Sequence, residues 1–414
     1  MSHYTLKNID VITKDVNEYI DIVGLDKINK LKEIAKPLIG KKVLNINATG
    51  YGGGVAELLR TQVGIMRSLG IKADWKVMVA ETEFYDVTKL FHNTMQGDLT
   101  EVTEHQKDIY INTIINNADA FDEEYDFIIV HDPQPLAMLR YIKNPKGKWI
   151  WRCHIDTSTP NMKTWDFLYP YTKDYDAVIF TLKEFANKNY EFNNLTIIPP
   201  SIDPLSPKNF MVCKDGINDV FKKYEIDPSR PLITQVSRFD VWKDPLGIID
   251  VYRNLKSEFK DLQLALIGSM ASDDPEGISI YDKTLRKAGE DKDIKIYTNF
   301  HNVGDYEVNI FQQASDVILQ KSLKEGFGLT VAEALWKETP VIGGNVGGIK
   351  LQINDGETGY LVNSVEEATE KTRYLLNNPV IAREMGLKGK EVVREKFLST
   401  REIEDHLVLL NKLL

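Results

Sequence analysis

Only two cysteines, Cys153 and Cys213, occur in 414 residues, and they lie far apart in the chain. That excludes a disulfide framework and a thiolate-rich metal site, and it fits a reducing cytoplasm. No stretch approaches an uncharged run of about 20 apolar residues, so no membrane span is expected. The first ten residues lack the basic start and apolar run of an export signal, and secretion is not expected either. Excess positive charge is also missing. The 51 Lys plus Arg against 61 Asp plus Glu give a net charge of −10, which offers no global field for nucleic acid or anionic lipid, although a local cationic pocket could still hold phosphate. Long low-complexity segments and fixed-period repeats are absent.

What is present is a chain with 43% apolar and 27% charged side chains, enough for two or three ordinary domains. Scattered apolar positions over 17–38 suggest amphipathic helical turns, an N-terminal helical extension over 1–40. Val43–Asn47 then reads as a strand entering the glycine-rich turn Ala48–Gly54 and a helix ending near Gly70. Further short strands are expected at 75–80, 127–130, 149–151 and 177–180, so 41–200 reads as a first α/β domain. Four prolines within residues 197–207 disfavour a continuous helix and mark a boundary. Beyond it, strands expected at 232–236, 262–267, 294–297, 317–319 and 340–342 alternate with helical lengths, giving a second α/β domain over 201–390 with a largely parallel sheet. A helical segment over 391–414 is expected to pack back toward the first domain. Two such domains facing one another would bring ligand to the C-terminal ends of their strands, where helix N-termini supply free amide donors.

Three segments carry candidate chemistry. Gly50 and Gly52–Gly54 allow close backbone approach to phosphate, but a plain turn explains them equally well. Their spacing matches neither the Gly-x-Gly-x-x-Gly dinucleotide signature nor a Gly-x-x-x-x-Gly-Lys-Ser/Thr loop, so neither hydride transfer nor ATP hydrolysis is supported. Ser237–Pro245 follows a strand and presents Arg238 and Lys243, two cations that can hold different oxygens of a diphosphate. The structural alternative is an exposed turn paired with Asp240 or Asp244. In Lys324–Glu333 a glycine-rich loop enters an apolar helix near Leu329. Amides from Gly326 to Thr330 can meet a phosphoryl or sugar oxygen. If the segment were helical throughout, Glu325 and Glu333 would stand about 12 Å apart, too far for a paired acid and base. Alternatively, either carboxylate could simply be solvated or cap a helix. No His-x-x-x-His pair or compact Cys/His cluster suggests a metal.

Taken together, Gly52–Gly54, Ser237–Arg238 with Lys243, Glu325–Gly328 with Glu333, and Gly347–Ile349 resemble the retaining nucleotide-sugar glycosyltransferases of the glycogen-synthase-like and sucrose-synthase-like class, in glycosyltransferase family 4. The resemblance covers approximately 40–390. It implies an α/β GT-B fold of two Rossmann-like domains, with mainly parallel sheets facing a central cleft, the acceptor mainly in the first and the activated donor mainly in the second. By the same resemblance Gly53, Gly54, Arg238, Lys243, Leu329 and Thr330 would contact the donor diphosphate. Glu325, with Gly326, Phe327 and Gly328, would hold the transferred hexose, and Glu333 the ribose. Fixed Arg and Lys charges would then stand in for a diphosphate metal. No cofactor is implied, the nucleotide-sugar being a substrate, and Mg2+ stimulation stays open.

A nearer resemblance is to the trehalose glycosyltransferring synthases and the retaining trehalose phosphorylases. It rests on Gly52–Glu57, His131-Asp132-Pro133-Gln134-Pro135, Trp151–Asp156, Pro199–Pro204 and Asp273–Gly277. His154 and Asp156 follow one strand, and His131 and Asp132 another. The family implies sugar contacts for His154 and acceptor contacts for Asp156, His131 and Asp132, roles that an imidazole and a carboxylate suit. Either histidine could instead satisfy a local backbone bond. Arg238, Lys243, Glu325 and His154 would carry catalysis. The expected reaction is retaining transfer of glucose from ADP-, UDP- or GDP-glucose to glucose, forming trehalose. The alternatives are phosphorolysis of trehalose to α-glucose 1-phosphate, another hexosyl transfer, or a non-catalytic sugar-binding module. Dimerisation is an expectation from the family alone.

Overall fold

The computed structural model describes residues 4–51, 53–270 and 275–414. The chain forms two compact units, one of Met1–Pro200 with Ser399–Leu414, the other of Ser201–Leu398. Gly52, and Asp273 and Asp274 of the Asp273–Gly277 motif, lie outside the described residues.

The first unit is built on seven strands: β1 (Lys7–Asn8), β2 (Lys42–Asn47), β3 (Lys72–Val77), β4 (Phe127–His131), β5 (Lys148–Cys153), β6 (Ala177–Phe180) and β7 (Thr196–Ile197). Their order is β1-β3-β2-β4-β5-β6-β7, and every pairing is parallel except β1 with β3. Successive side chains point to opposite faces of a strand, so each strand divides its residues between two cores. Leu44, Ile46, Ile128, Val130, Trp149, Trp151, Val178 and Phe180 fill one of them. Val43, Phe127, Ile129, Ile150, Ala177 and Ile179 fill the other, with Leu59 and Val63 of the helix Gly53–Ser68 and Ile403, Leu407 and Leu410 of the helix Ser399–Leu413. Asn45, His131 and Arg152 share the parity of this second set, and all three are buried polar groups.

The N-terminal segment is built of short helical pieces with one strand ahead of them. Its helical pieces, Val16–Tyr19, Ile20–Val23 and Leu25–Ala35, are broken at Gly24, whose φ is 89°, and are preceded by β1, which edges the sheet.

The second unit carries β8 (Leu232–Val236), β9 (Gln263–Gly268), β10 (Ile294–Thr298), β11 (Val317–Gln320), β12 (Val341–Gly344) and β13 (Gly359–Val362). These are ordered β10-β9-β8-β11-β12-β13, all parallel. Strand order reverses between β8 and β11 here, and between β2 and β4 in the first unit. In open parallel sheets such reversals open a crevice at the strands' C-terminal ends. The C-terminal helical segment over 391–414 is shared between two helices. The helix Pro379–Lys396 belongs to the second unit, and Phe397 and Leu398 interrupt it before Ser399–Leu413 joins the first.

Candidate active site

Loops leaving β8 and β11 meet at the second unit's reversal point. Lys243 Nζ donates to Glu325 Oε2 at 2.6 Å, and Ser322 Oγ donates to the same oxygen at 3.2 Å. The loops are also joined by the backbone bond from Leu323 N to Trp242 O, 2.7 Å. Lys243 is therefore not the solvent-facing cation of an ordinary turn. It pairs across 82 positions with a carboxylate only 9% exposed, rather than with Asp244 beside it. Asp244 is held by Lys321, and its left-handed backbone, φ 50°, starts the helix Pro245–Lys256. Gln235 Nε2 donates to Lys243 O at 2.7 Å, fixing the loop from beneath. Arg238 follows the other expectation for this turn, its half-exposed guanidinium lying 3.3 Å from Asp240.

Glu325–Gly328 is an irregular loop held by backbone contacts. Gly348 N donates to Gly326 O at 3.1 Å, and Gln352 Nε2 donates to Phe327 O at 2.6 Å. A Cβ on Gly347 would fall 1.6 Å from Glu325 O, and one on Gly344 2.1 Å from Ser322 O. Gly328, φ 82°, turns the chain into the helix Leu329–Trp336 and supplies no side-chain cap, so the first-turn amides of Leu329 and Thr330 have no capping side chain there. At Phe327 the expected contribution to the hexose site is the backbone. Its ring is buried against Phe397 at a centroid distance of 5.4 Å, which leaves the backbone of Gly326–Gly328 as the polar surface. Glu333 is 1% exposed, so it is neither solvated nor a helix cap. Gln312 Nε2 donates to its Oε2 at 3.1 Å, and Lys208 Nζ lies 3.6 Å from Oε1. The buried Lys337 ties Gln312 Oε1, Asn209 Oδ1 and Glu333 O together.

At the first unit's reversal point, Gly53, φ 74°, and Gly54 are exposed at the start of the helix Gly53–Ser68. His131 ends β4 and is 2% exposed. Its Nδ1 lies 3.1 Å from His154 Nε2, and its Nε2 lies 3.1 Å from Asn45 Oδ1. Asp132 adopts φ 63°, and its Oδ1 accepts the His154 backbone N–H at 2.8 Å. Burial pushes the Asp132 carboxyl up to about 7, against the lowering effects of that bond and of Arg152. Burial, with Arg152 nearby, holds both imidazoles well below the ordinary histidine range, so both are neutral near pH 7. Asp156 Oδ1 accepts the Ser158 N–H at 3.0 Å, a local turn at the rim.

Beneath these groups Arg152 Nη2 donates to Glu402 Oε1 at 2.5 Å, and Nη1 contacts His406 Nε2. Asn45, Glu402, His406, Gln312, Lys321 and Lys337 escaped the sequence reading. The signal for the first three was parity and helical spacing. Asn45 lies two residues from Val43 on the same strand face, and Glu402 and His406 are four apart beside Ile403 and Leu407. Among the described residues, no group of three or more His, Cys, Asp or Glu is arranged to hold a metal ion, and no helix is long and apolar enough to cross a membrane.

Two parallel α/β units, one presenting a Lys–Glu pair and open helix amides at its reversal point, define a glycosyltransferase of the GT-B fold. Residues 217–392 match the family model for glycosyl transferases group 1, and residues 45–187 the model for the trehalose synthase N-terminal domain. Trehalose synthase of Pyrococcus horikoshii is 47% identical over 99% of both chains, and that of Rubrobacter xylanophilus likewise. The chain belongs to the trehalose synthase family. More distant is trehalose phosphorylase of Pleurotus pulmonarius, 28% identical over 84% of this chain and 54% of its own length. A solved structure of the E. coli trehalose-6-phosphate enzyme bound with UDP-2-fluoro glucose superposes with a TM-score of 0.73 at 14% identity, covering 90% of this chain and 99% of that one, a likeness of fold.

Proposed function

We propose that this enzyme transfers glucose, with retention, from a nucleoside diphosphate glucose to glucose, forming trehalose. The observation that carries the proposal is the Lys243–Glu325 pair at the reversal point, in a chain 47% identical to trehalose synthases over nearly its whole length. In this reading Arg238 and Lys243, with the amides of Gly53, Gly54, Leu329 and Thr330, neutralise charge on the leaving diphosphate as the glycosidic bond breaks. Glu325 accepts hydroxyl donors of the transferred hexose, the backbone of Gly326–Gly328 positions it, and Glu333 takes the ribose. His154 contacts the transferred hexose, and Asp156 and Asp132 align the acceptor, with His131, whose two ring nitrogens are taken by Asn45 and His154, behind them. The acceptor hydroxyl enters on the face from which the diphosphate departs, and a donor phosphate oxygen receives the proton. Catalysis then consists of orientation plus fixed positive charge. No metal is assigned, and Mg2+ stimulation is a matter for the same assays. We place the enzyme in the cytoplasm, with sugar and nucleotide-sugar substrates, no nucleic acid or membrane partner, and a second copy of itself as the candidate oligomer.

Product analysis tests this directly, with ADP-, UDP- and GDP-glucose plus glucose in one set of reactions and trehalose plus inorganic phosphate in another. Trehalose formed only with a nucleotide donor is expected. Rapid phosphorolysis without nucleotide-dependent transfer would select the phosphorylase reaction, and binding without turnover in either set would leave a sugar-binding module. Glu325→Gln should abolish most turnover while leaving the fold intact.

A further inference from the structure

The C-terminal end of the first unit's central strands carries a polar chain that begins deep in the core. Asn45, at 1% exposure, and His131 share a face of adjacent strands, and His154 follows the next strand along. Asn45 Oδ1 stands 3.1 Å from His131 Nε2, and His131 Nδ1 stands 3.1 Å from His154 Nε2. The two imidazoles are nearly coplanar, 13° apart, with ring centres 5.4 Å apart. A nitrogen separation of 3.1 Å with centres that distant places the rings edge to edge, so the N–H of one points at the lone pair of the other.

Proton positions follow from the inventory of donors. An amide oxygen only accepts, so His131 Nε2 must carry a hydrogen. A neutral imidazole has one N–H, so His131 Nδ1 is bare and accepts from His154 Nε2–H. That leaves His154 Nδ1 with a lone pair. Asp132 Oδ1 accepts the His154 backbone N–H at 2.8 Å, which fixes the main chain that carries the ring. The charged and titratable groups around the chain are Asp132, Arg152 from β5, and Glu402 and His406 from the helix Ser399–Leu413. Among the described residues Asn45 Nδ2 has no hydrogen-bond partner, so the contact with His131 is what anchors the amide. The reversed amide would impose the opposite tautomer on both histidines.

We propose that Asn45 and His131 are positioning residues that hold His154 in its Nε2–H tautomer, so that Nδ1 accepts a hydrogen bond from a sugar hydroxyl. The proposal rests on the assignment of His154 to sugar contact made above. A histidine tautomer chosen by its partner is a familiar way to fix which nitrogen faces a ligand. Here the partner is a second histidine, and the choice is made by an amide in the core. A bare nitrogen takes a neutral hydroxyl in preference to an oxyanion.

The test is 15N NMR of the full-length protein labelled at histidine, with His154→Ala identifying the His154 resonances. In the unsubstituted protein, His154 should show a protonated Nε2 and an unprotonated Nδ1. In Asn45→Ala both nitrogens should move toward averaged shifts as the tautomers interconvert. Turnover should fall about tenfold, what one hydrogen bond is worth. His131→Asn, whose amide oxygen can stand where Nδ1 stood, should restore the His154 tautomer, and His131→Leu should not. A protonated Nδ1 in the unsubstituted protein, or a His154 tautomer indifferent to Asn45→Ala, overturns the proposal. If the tautomer is as stated but His154→Ala keeps full turnover, the chain of bonds stands and the sugar contact of His154 is what fails.

Discussion

Replacing Gly347 by alanine separates two consequences of one methyl group. Gly347 has φ 46°, in the left-handed region, where a side chain costs about 1–2 kcal/mol. The added Cβ would also lie 1.6 Å from Glu325 O and 2.8 Å from Glu325 C, and real Cβ atoms essentially never approach within 3.0 Å. Both obstructing atoms are backbone, with no flexible side chain to yield. The Glu325 peptide must therefore move by about 1.4 Å, the difference between 3.0 and 1.6 Å. A misplacement of about 1 Å at a reacting centre can cost about 100-fold. Gly356→Ala supplies the control, since Gly356 has φ 78° and nothing within 4 Å of its Cβ position. Both variants should lose about 1–2 kcal/mol of stability in urea titrations, with a further loss of about 1–3 kcal/mol from overpacking in Gly347→Ala. Only Gly347→Ala should lower kcat/KM for the nucleotide-glucose reaction, by about 100-fold or more. Equal kcat/KM in the two variants would refute the argument that this turn sets the position of Glu325.

Lys243→Met should lower kcat/KM by about 100- to 1,000-fold, the usual loss on removing a donor aimed at developing negative charge, with Lys324→Met as a comparison from the same pair of loops. Comparable losses in both would remove the special status of Lys243. Glu402→Gln leaves Arg152 buried without its counter-charge and should cost about 3–5 kcal/mol in urea unfolding. A cost under about 1 kcal/mol would show that the pair is not isolated from solvent. Stability should also respond to pH through His131 and His406, whose folded values lie well below the ordinary one, chiefly through burial. The unfolded chain then binds more protons, so their contribution is present above about pH 6.5 and is lost as pH falls toward the folded values, by up to about 1.4 kcal/mol per pH unit each. Asp132, raised to about 7, has the opposite sign, and its contribution is lost as pH rises through about 4 to 7. Unfolding measured at pH 7.5 and 5.5 should therefore show a smaller pH-dependent loss in His406→Gln than in the unsubstituted protein, and parallel losses would contradict the assignment.

Runs such as Phe127–Val130 and Val317–Leu319 announced two parallel sheets, because strands buried on both faces are near-continuous apolar runs. The glycine loop Glu325–Gly328 was legible because a positive φ and an uncapped helix start demand glycine where they occur. Pairing was not legible. Lys243 has Asp240 and Asp244 within three residues, and nothing local says that its partner lies 82 positions away; that follows from β11 being laid beside β8. The partners of Glu402 and His406 were illegible for a related reason: strand β5 carries Arg152 into the face that their helix covers, and nothing in the C-terminal segment says so. The break at Phe397–Leu398 had no glycine or proline to mark it.

The reversal points of the two units carry opposite electrostatic solutions, and the proposed reaction needs both. Arg238 and Lys243 are fixed cations suited to a departing diphosphate. Asn45, His131 and His154 are kept neutral and directional, as sugar hydroxyls require. Lys243 and Glu325 neutralise each other across 2.6 Å, so a ligand that draws Lys243 onto its phosphates strips a nearly buried carboxylate of its main partner. A diphosphate alone leaves Glu325 with only the Ser322 hydroxyl, at 3.2 Å, from that set. The exchange is favourable only when the same ligand also brings hydroxyl donors to Glu325, because a buried charge left unpaired costs several kcal/mol. A nucleotide-sugar meets both demands in one molecule. In this way the ion pair couples recognition of the leaving group to recognition of the hexose.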